Sequence, residues 1–129
     1  MPLSQLDAQA RGRLGENRAV ERLVADGCRV LARNRRVAGV EIDVIAFDPR
    51  AGTVLVVEVK SSGDGRPPER RVDPARRRRL VRAATLLGVR RRVAIEVAAV
   101  DLRTTGVDSV RRIRLEPADL DVGRAQRGR

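Results

Sequence analysis

The sequence predicts an α/β domain with a mixed central sheet flanked by helices, in the order α-β-β-β-α-β-β. Three observations predict it. Two segments have helical spacing of apolar residues, and the intervening and following segments are short, rich in Val and Ile, and bounded by Gly and Pro. The pentapeptide DPRAG places Pro and Gly for a tight reversal between the second and third of those segments.

The first helix is expected over residues 6–26, with Gly27 as its C-terminal stop and Glu16, Val20, Leu23, Val24 and Gly27 along one core-facing stripe. Residues 28–36, 40–47 (VEIDVIAF) and 53–60 (TVLVVEVK) read as strands, the last two forming a hairpin. The stretch 61–72, opening SSGDGRPPER, has Gly, Pro and charge without apolar periodicity and reads as a mobile loop. Asp73 is placed to cap a second helix with Pro74 at its first position and Gly88 closing it. Leu80, Ala83, Ala84 and Leu87 share one face of that helix. Strands are expected again over 93–102 and 110–115. Residues 1–116 then form one domain, and 117–129 a basic, disordered tail.

Composition narrows the function. The chain is 42% hydrophobic with one Phe and no Tyr or Trp, so Val, Leu, Ile and Ala must fill the core. No window approaches the ~20 apolar residues of a membrane span, and no membrane partner is expected. The N-terminal MPLSQLDAQARGR lacks the apolar region of a secretory signal, and the lone Cys28 has no intramolecular disulfide partner, so a cytoplasmic location is expected. With no His and one Cys, a zinc site lacks its usual ligands.

The net charge of +11 favours a polyanionic partner, of which nucleic acid is the commonest; the competing account is Arg-rich codon usage that decorates a solvated surface. Of the 28 basic residues, Lys60 is the only lysine. A compact ammonium and a planar guanidinium are not interchangeable in a tight site, so Lys60 requires an explanation.

In the third strand, alternation puts Val54, Val56, Glu58 and Lys60 on one face and Leu55, Val57 and Val59 on the other. Both faces are apolar until Glu58, as in a central buried strand, so the charges at its end mark either emergence into solvent or a site. A four-residue turn, Pro49 to Gly52, would pair Asp48 with Thr53, Phe47 with Val54 and Ile45 with Val56, and bring Asp43 opposite Glu58. Like charges so placed destabilise a sheet unless a cation lies between them, and Mg²⁺ is commonly held by one or two carboxylates plus water and phosphate oxygens. A three- or five-residue turn would instead send Asp43 to the opposite face. Glu16, on the first helix's core-facing stripe, either snorkels to the rim or reaches the same site.

These residues carry a resemblance. LGENRAVERLVADGCRVLARNRR, GVEIDVIAFD, VLVVEVKSS, VDPARRRRLVRAA and VAIEVAAVDL resemble, in this order, the YraN-like family of bacterial proteins, of the restriction-endonuclease-like PD-(D/E)XK superfamily. The resemblance implies that superfamily's fold, Asp43 and Glu58 as ligands of Mg²⁺ or Mn²⁺, Lys60 as the catalytic lysine, and Glu16 as the helix glutamate that Holliday-junction resolvases place near the metal. Glu41 matches the family's other motif acid. Two positions depart from the pattern: Arg76 stands where a lysine usually opens the second helix, and Glu96 where Asp is more frequent.

The activity implied is metal-assisted hydrolysis of phosphodiester bonds in structured or double-stranded DNA, DNA being favoured over RNA; the alternative is a non-catalytic nucleic-acid-binding module on the same fold. Arg35, Arg36, Arg76 and Arg77 are the expected phosphate contacts. Without Tyr or Trp, base stacking of the single-strand kind has little support. A homodimer would supply the two sites needed to cut two strands symmetrically, although no apolar interface stripe stands out.

Overall fold

A computed structural model describes residues 2–64, 66–87 and 91–115. After a short 3-10 turn at Leu3–Gln5, the elements are α1 (Ala8–Ala25), β1 (Arg29–Val37), β2 (Val40–Asp48), β3 (Thr53–Gly63), α2 (Pro74–Leu86), β4 (Arg92–Leu102) and β5 (Ser109–Arg114). The strands form one sheet in the order β1-β2-β3-β4-β5. All neighbours are antiparallel except β3 and β4, which are parallel and joined through α2. The predicted α-β-β-β-α-β-β order and mixed sheet are thus observed, as the restriction-endonuclease-like reading requires.

Each helix covers one face of the sheet. Ala19 and Leu23 of α1 pack on Val44, Ala46, Leu55, Val57, Ala98 and Val100. On the other face Leu80, Val81, Ala83 and Ala84 of α2 pack on Ile42, Ile45, Val54, Val56, Ile95 and Val97. β3 is therefore covered on both sides, which explains its unbroken apolar run. No helix among the described residues is long and apolar enough to cross a membrane.

Local chemistry sets the element ends. The Asp7 carboxylate accepts the Ala10 N–H at 2.7 Å and caps α1. Gly27, at φ 91°, releases the chain from α1 toward β1, as expected of the stop residue. In the β2–β3 turn Asp48 accepts the Arg50 N–H at 3.0 Å, and Gly52 takes φ 61°. The predicted four-residue turn and its register are observed from Asp48↔Thr53 to Val44↔Val57.

Several expectations need correction. β3 does not end at Lys60: Ser61, Ser62 and Gly63 stay in register with Val100, Asp101 and Leu102 of β4, whose parallel ladder holds them in the sheet. The buried face of α1 is Gly15, Glu16, Ala19 and Leu23, while Val24 is 57% exposed, because the sheet lies about 70° around the helix from where the expected stripe centred. Asp73 sits at the N-cap of α2 but its side chain makes no cap hydrogen bond; Pro74, which has no N–H to satisfy, opens the helix. The expected stop at Gly88 and the tail 117–129 lie outside the described residues.

Buried Glu96 is the anchor at the far end of the sheet. Arg112 donates to both its oxygens at 2.9 and 3.1 Å, Arg114 adds a donor at 2.9 Å, and Arg112 also reaches Asp26 at the C-terminus of α1.

Gly15 fixes how closely α1 approaches β3. A Cβ there would lie 2.7 Å from Ser61 Cβ and 2.8 Å from its Oγ. Gly15→Ala is expected to destabilise, because overpacking of roughly 1–3 kcal/mol exceeds the helix-propensity gain of up to about 1 kcal/mol. Urea unfolding of Gly15→Ala and of Gly15→Ala/Ser61→Gly checks this. The second substitution removes the opposing Cβ and should restore the lost stability.

Candidate active site

The site lies where β2 and β3 part company. One residue beyond Val44↔Val57 the ladder stops, and the Asp43 carboxylate accepts the Val59 N–H at 2.8 Å in place of a strand carbonyl. The cause is a break in alternation. Ile42 packs on the α2 face and Val44 on the α1 face, although strict period two would put both on one side. On the neighbouring strand Asn34 takes φ 51°, and the pairs Arg33↔Val44 and Arg35↔Ile42 flank it. Asn tolerates this left-handed backbone better than most residues.

Asp43 and Glu58 therefore come together, but not as the flat cross-strand ladder pair that the turn count suggested. Their carboxyl groups lie within hydrogen-bonding reach of one another. Burial raises the Asp43 carboxyl; the Val59 N–H pulls it back, the charges of Glu58 and Glu16 push it further up, and the net value is about 7. Burial also pushes Glu58 up, but the Arg76 guanidinium outweighs it, aided by Asp43 and Lys60, and holds Glu58 below the usual carboxylate range.

Arg76 grips Glu58 with both arms. Its Nε donates to Oε2 at 3.0 Å and its Nη2 to Oε1 at 3.1 Å, and Nη2 also donates to the Glu41 carbonyl at 2.6 Å. Glu41 itself is exposed and contributes through its main chain. Glu16 is buried at 8% exposure rather than at the rim; Arg33 Nε (2.8 Å) and Asn34 Nδ2 (3.0 Å) both donate to its Oε1. Its charge is felt at Asp43. Sequence reasoning passed over Arg33 and Asn34, and the one available signal was a turn-favouring Asn in the middle of a strand.

Lys60 is half-buried and lines a cleft of about 580 Å³ with Glu69, Arg71, Val72, Asp73, Pro74 and Arg77. The described residues thus bring Glu16, Asp43, Glu58, Lys60, Arg76 and Arg77 to one end of β3. Arg35 and Arg36 are exposed on the edge strand β1, paired with Ile42 and Glu41 of β2.

No three or more acidic, His or Cys side chains among the described residues are arranged to enclose a metal ion. The donor set is nonetheless compatible with a hard divalent cation. Burial, with the Glu58 charge adding to it, raises the Asp43 carboxyl, so a cation between the two carboxylates would favour their charged forms, and such an ion completes its shell with water and phosphate oxygens.

Comparison with known proteins agrees with the sequence resemblance. A protein of Oleidesulfovibrio alaskensis is 47% identical over 77 residues, covering 58% of this chain and 37% of its own. One of Mycolicibacterium smegmatis is 52% identical over 66 residues, covering 50% and 53%. One of Chlorobium limicola is 41% identical over 81 residues, covering 60% of each. All three carry the name UPF0102 protein, and the matched segment spans between about a third and three-fifths of their lengths. Among solved structures, Pyrococcus furiosus SfsA in complex with Ca²⁺ aligns over 84% of this chain and 64% of its own, with 12% identity and a TM-score of 0.41. The family model described as "Uncharacterised protein family UPF0102" matches residues 15–110, and the chain belongs to that family.

Proposed function

We propose that this protein is a divalent-metal-dependent nuclease that hydrolyses phosphodiester bonds of structured or double-stranded DNA. One observation carries the reading: in a protein of net charge +11, two carboxylates are pressed together at the end of a central strand, two residues from its only lysine. A cation-free carboxylate pair is a liability to stability. Asp43 and Glu58 would hold Mg²⁺ or Mn²⁺, which supplies charge stabilisation at the scissile phosphate. Lys60, which lines the cleft two residues along β3 from Glu58, would orient the attacking water and neutralise charge developing on the phosphate. Arg71 and Arg77 on the cleft wall would position the backbone, giving salt-sensitive affinity without sequence preference. Duplex or branched DNA is preferred over single strands because no Tyr or Trp offers a stacking platform.

A non-catalytic nucleic-acid-binding module is favoured by one feature, the engagement of both Glu58 oxygens by Arg76. Incubation of linear duplex, single strand, flap, four-way junction and structured RNA with Mg²⁺, Mn²⁺ or EDTA separates the two. The nuclease reading expects metal-dependent cutting of at least one structured or duplex DNA and none in EDTA. Binding without cleavage across the whole panel would leave only the module.

A further inference from the structure

Arg76 is placed so that its guanidinium and a divalent cation compete for the same atoms. Both Glu58 oxygens are taken by its two parallel N–H donors, and the Glu41 carbonyl takes a third contact. Bidentate guanidinium–carboxylate pairing is among the strongest hydrogen-bonded contacts in proteins, and this one is largely sheltered, with the Arg76 and Glu58 side chains 23% and 8% exposed. A cation bridging Asp43 and Glu58 would need at least one of those oxygens and would repel the guanidinium.

A guanidinium released from Glu58 enters unfavourable surroundings. The neighbouring cleft is lined by Lys60, Arg71 and Arg77 against Glu69 and Asp73, so the displaced charge joins a net positive wall. A phosphate oxygen in that cleft would relieve it, and Arg76, in the first turn of α2, is tethered at its edge.

Building on the metal-site reading above, we propose that Arg76 is a latch: it occupies Glu58 in the cation-free protein and passes to a backbone phosphate when the cation binds. Cation and nucleic acid then bind cooperatively, each removing the obstacle to the other. By linkage the effect is reciprocal, and coupling of the usual size corresponds to roughly 5–150-fold in affinity. Arg76 acts here as a positioning residue that couples two ligands through Glu58.

Isothermal titration with Ca²⁺, alone and with saturating duplex DNA, tests this on the wild type, Arg76→Gln and Arg76→Lys. Wild type should bind Ca²⁺ weakly alone and about tenfold or more tightly with duplex present. Arg76→Gln should bind Ca²⁺ about tenfold more tightly than wild type without DNA, and the duplex should add little further. Arg76→Lys, which keeps the charge but not the two-armed grip, should fall between, and it serves as the test if Arg76→Gln does not fold. Ca²⁺ binding in the variants equal to or weaker than wild type, or undiminished coupling in them, would overturn the latch while leaving the metal site in place. No Ca²⁺ binding to any form, with or without duplex, would overturn the metal-site reading and the latch with it.

Discussion

Lys60→Ala is expected to reduce single-turnover cleavage by about 10²–10⁴-fold, the usual worth of a positioned group that helps transfer a proton or stabilise transition-state charge. Binding of the same DNA in Ca²⁺ should change only a few-fold, because Arg71 and Arg77 remain on the cleft wall. The fold should also survive: Lys60 is half-buried, and its main chain stays in the parallel ladder opposite Ala99. Lys60→Arg should not restore activity, since a wider planar cation cannot stand where a compact ammonium sits next to Glu58. A Lys60→Ala protein that cuts within about threefold of wild type would remove lysine from the mechanism. Matched far-UV dichroism and melting temperatures make a rate loss attributable to the site.

The sheet was legible in the sequence where local chemistry determined it. The Pro49–Gly52 turn fixed the β2–β3 register because Asp48 and Gly52 suit it, and the apolar run of β3 required cover on both faces. Gly27 and Pro74 marked helix ends for the same reason. What stayed hidden depended on tertiary partners. Ser61 to Gly63 look like loop residues, yet β4 supplies them with a ladder that composition cannot announce. Val24 fits a helical stripe by spacing, but where the sheet lies around α1 decides which stripe is buried, and Val24 faces out.

At the site, strand alternation and turn counting brought Asp43 and Glu58 to the same place, while the geometry of their meeting was not readable. In VEIDVIAF nearly every position is apolar, so a reversal of facing between Ile42 and Val44 leaves no trace in the pattern. The reversal frees the Asp43 carboxylate to hold Val59 N–H and sets it against Glu58. Glu16 illustrates the converse. Its spacing allowed either rim or site, and the outcome turned on Arg33 and Asn34, two residues of a basic run whose partners lie 17 and 18 positions away.

Asp43→Asn is expected to abolish metal-dependent cleavage and, in cation-free buffer at pH 8, to make the protein more stable by roughly 1–3 kcal/mol. The sign follows from linkage. The Asp43 carboxyl titrates near 7 in the folded protein against an ordinary 3.8, so between those values the folded state holds a proton that the unfolded chain has lost. The stability this proton provides is fully present below about pH 4 and is lost as pH rises through 7; above that, the folded protein confines two like charges. Asparagine carries no such charge. Its Oδ1 can still accept the Val59 N–H, and its Nδ2 can donate to Glu58 where the carboxylate repelled it. Urea unfolding from about pH 5.5 to pH 8, above the range in which the lowered carboxylates such as Glu58 titrate in the unfolded chain, should therefore show the wild type weakening and Asp43→Asn nearly flat. Mg²⁺ should narrow or reverse the order, because a ligand bound only by the folded wild type adds about 2.7 kcal/mol at a hundred times its Kd, and the variant has lost that ligand. If Glu58 and Lys60 were only an ion pair, the substitution would leave stability unchanged or lower it, and added Mg²⁺ would not distinguish the two proteins. A destabilised Asp43→Asn with no Mg²⁺ response in wild type would thus reduce the carboxylate pair to a structural contact.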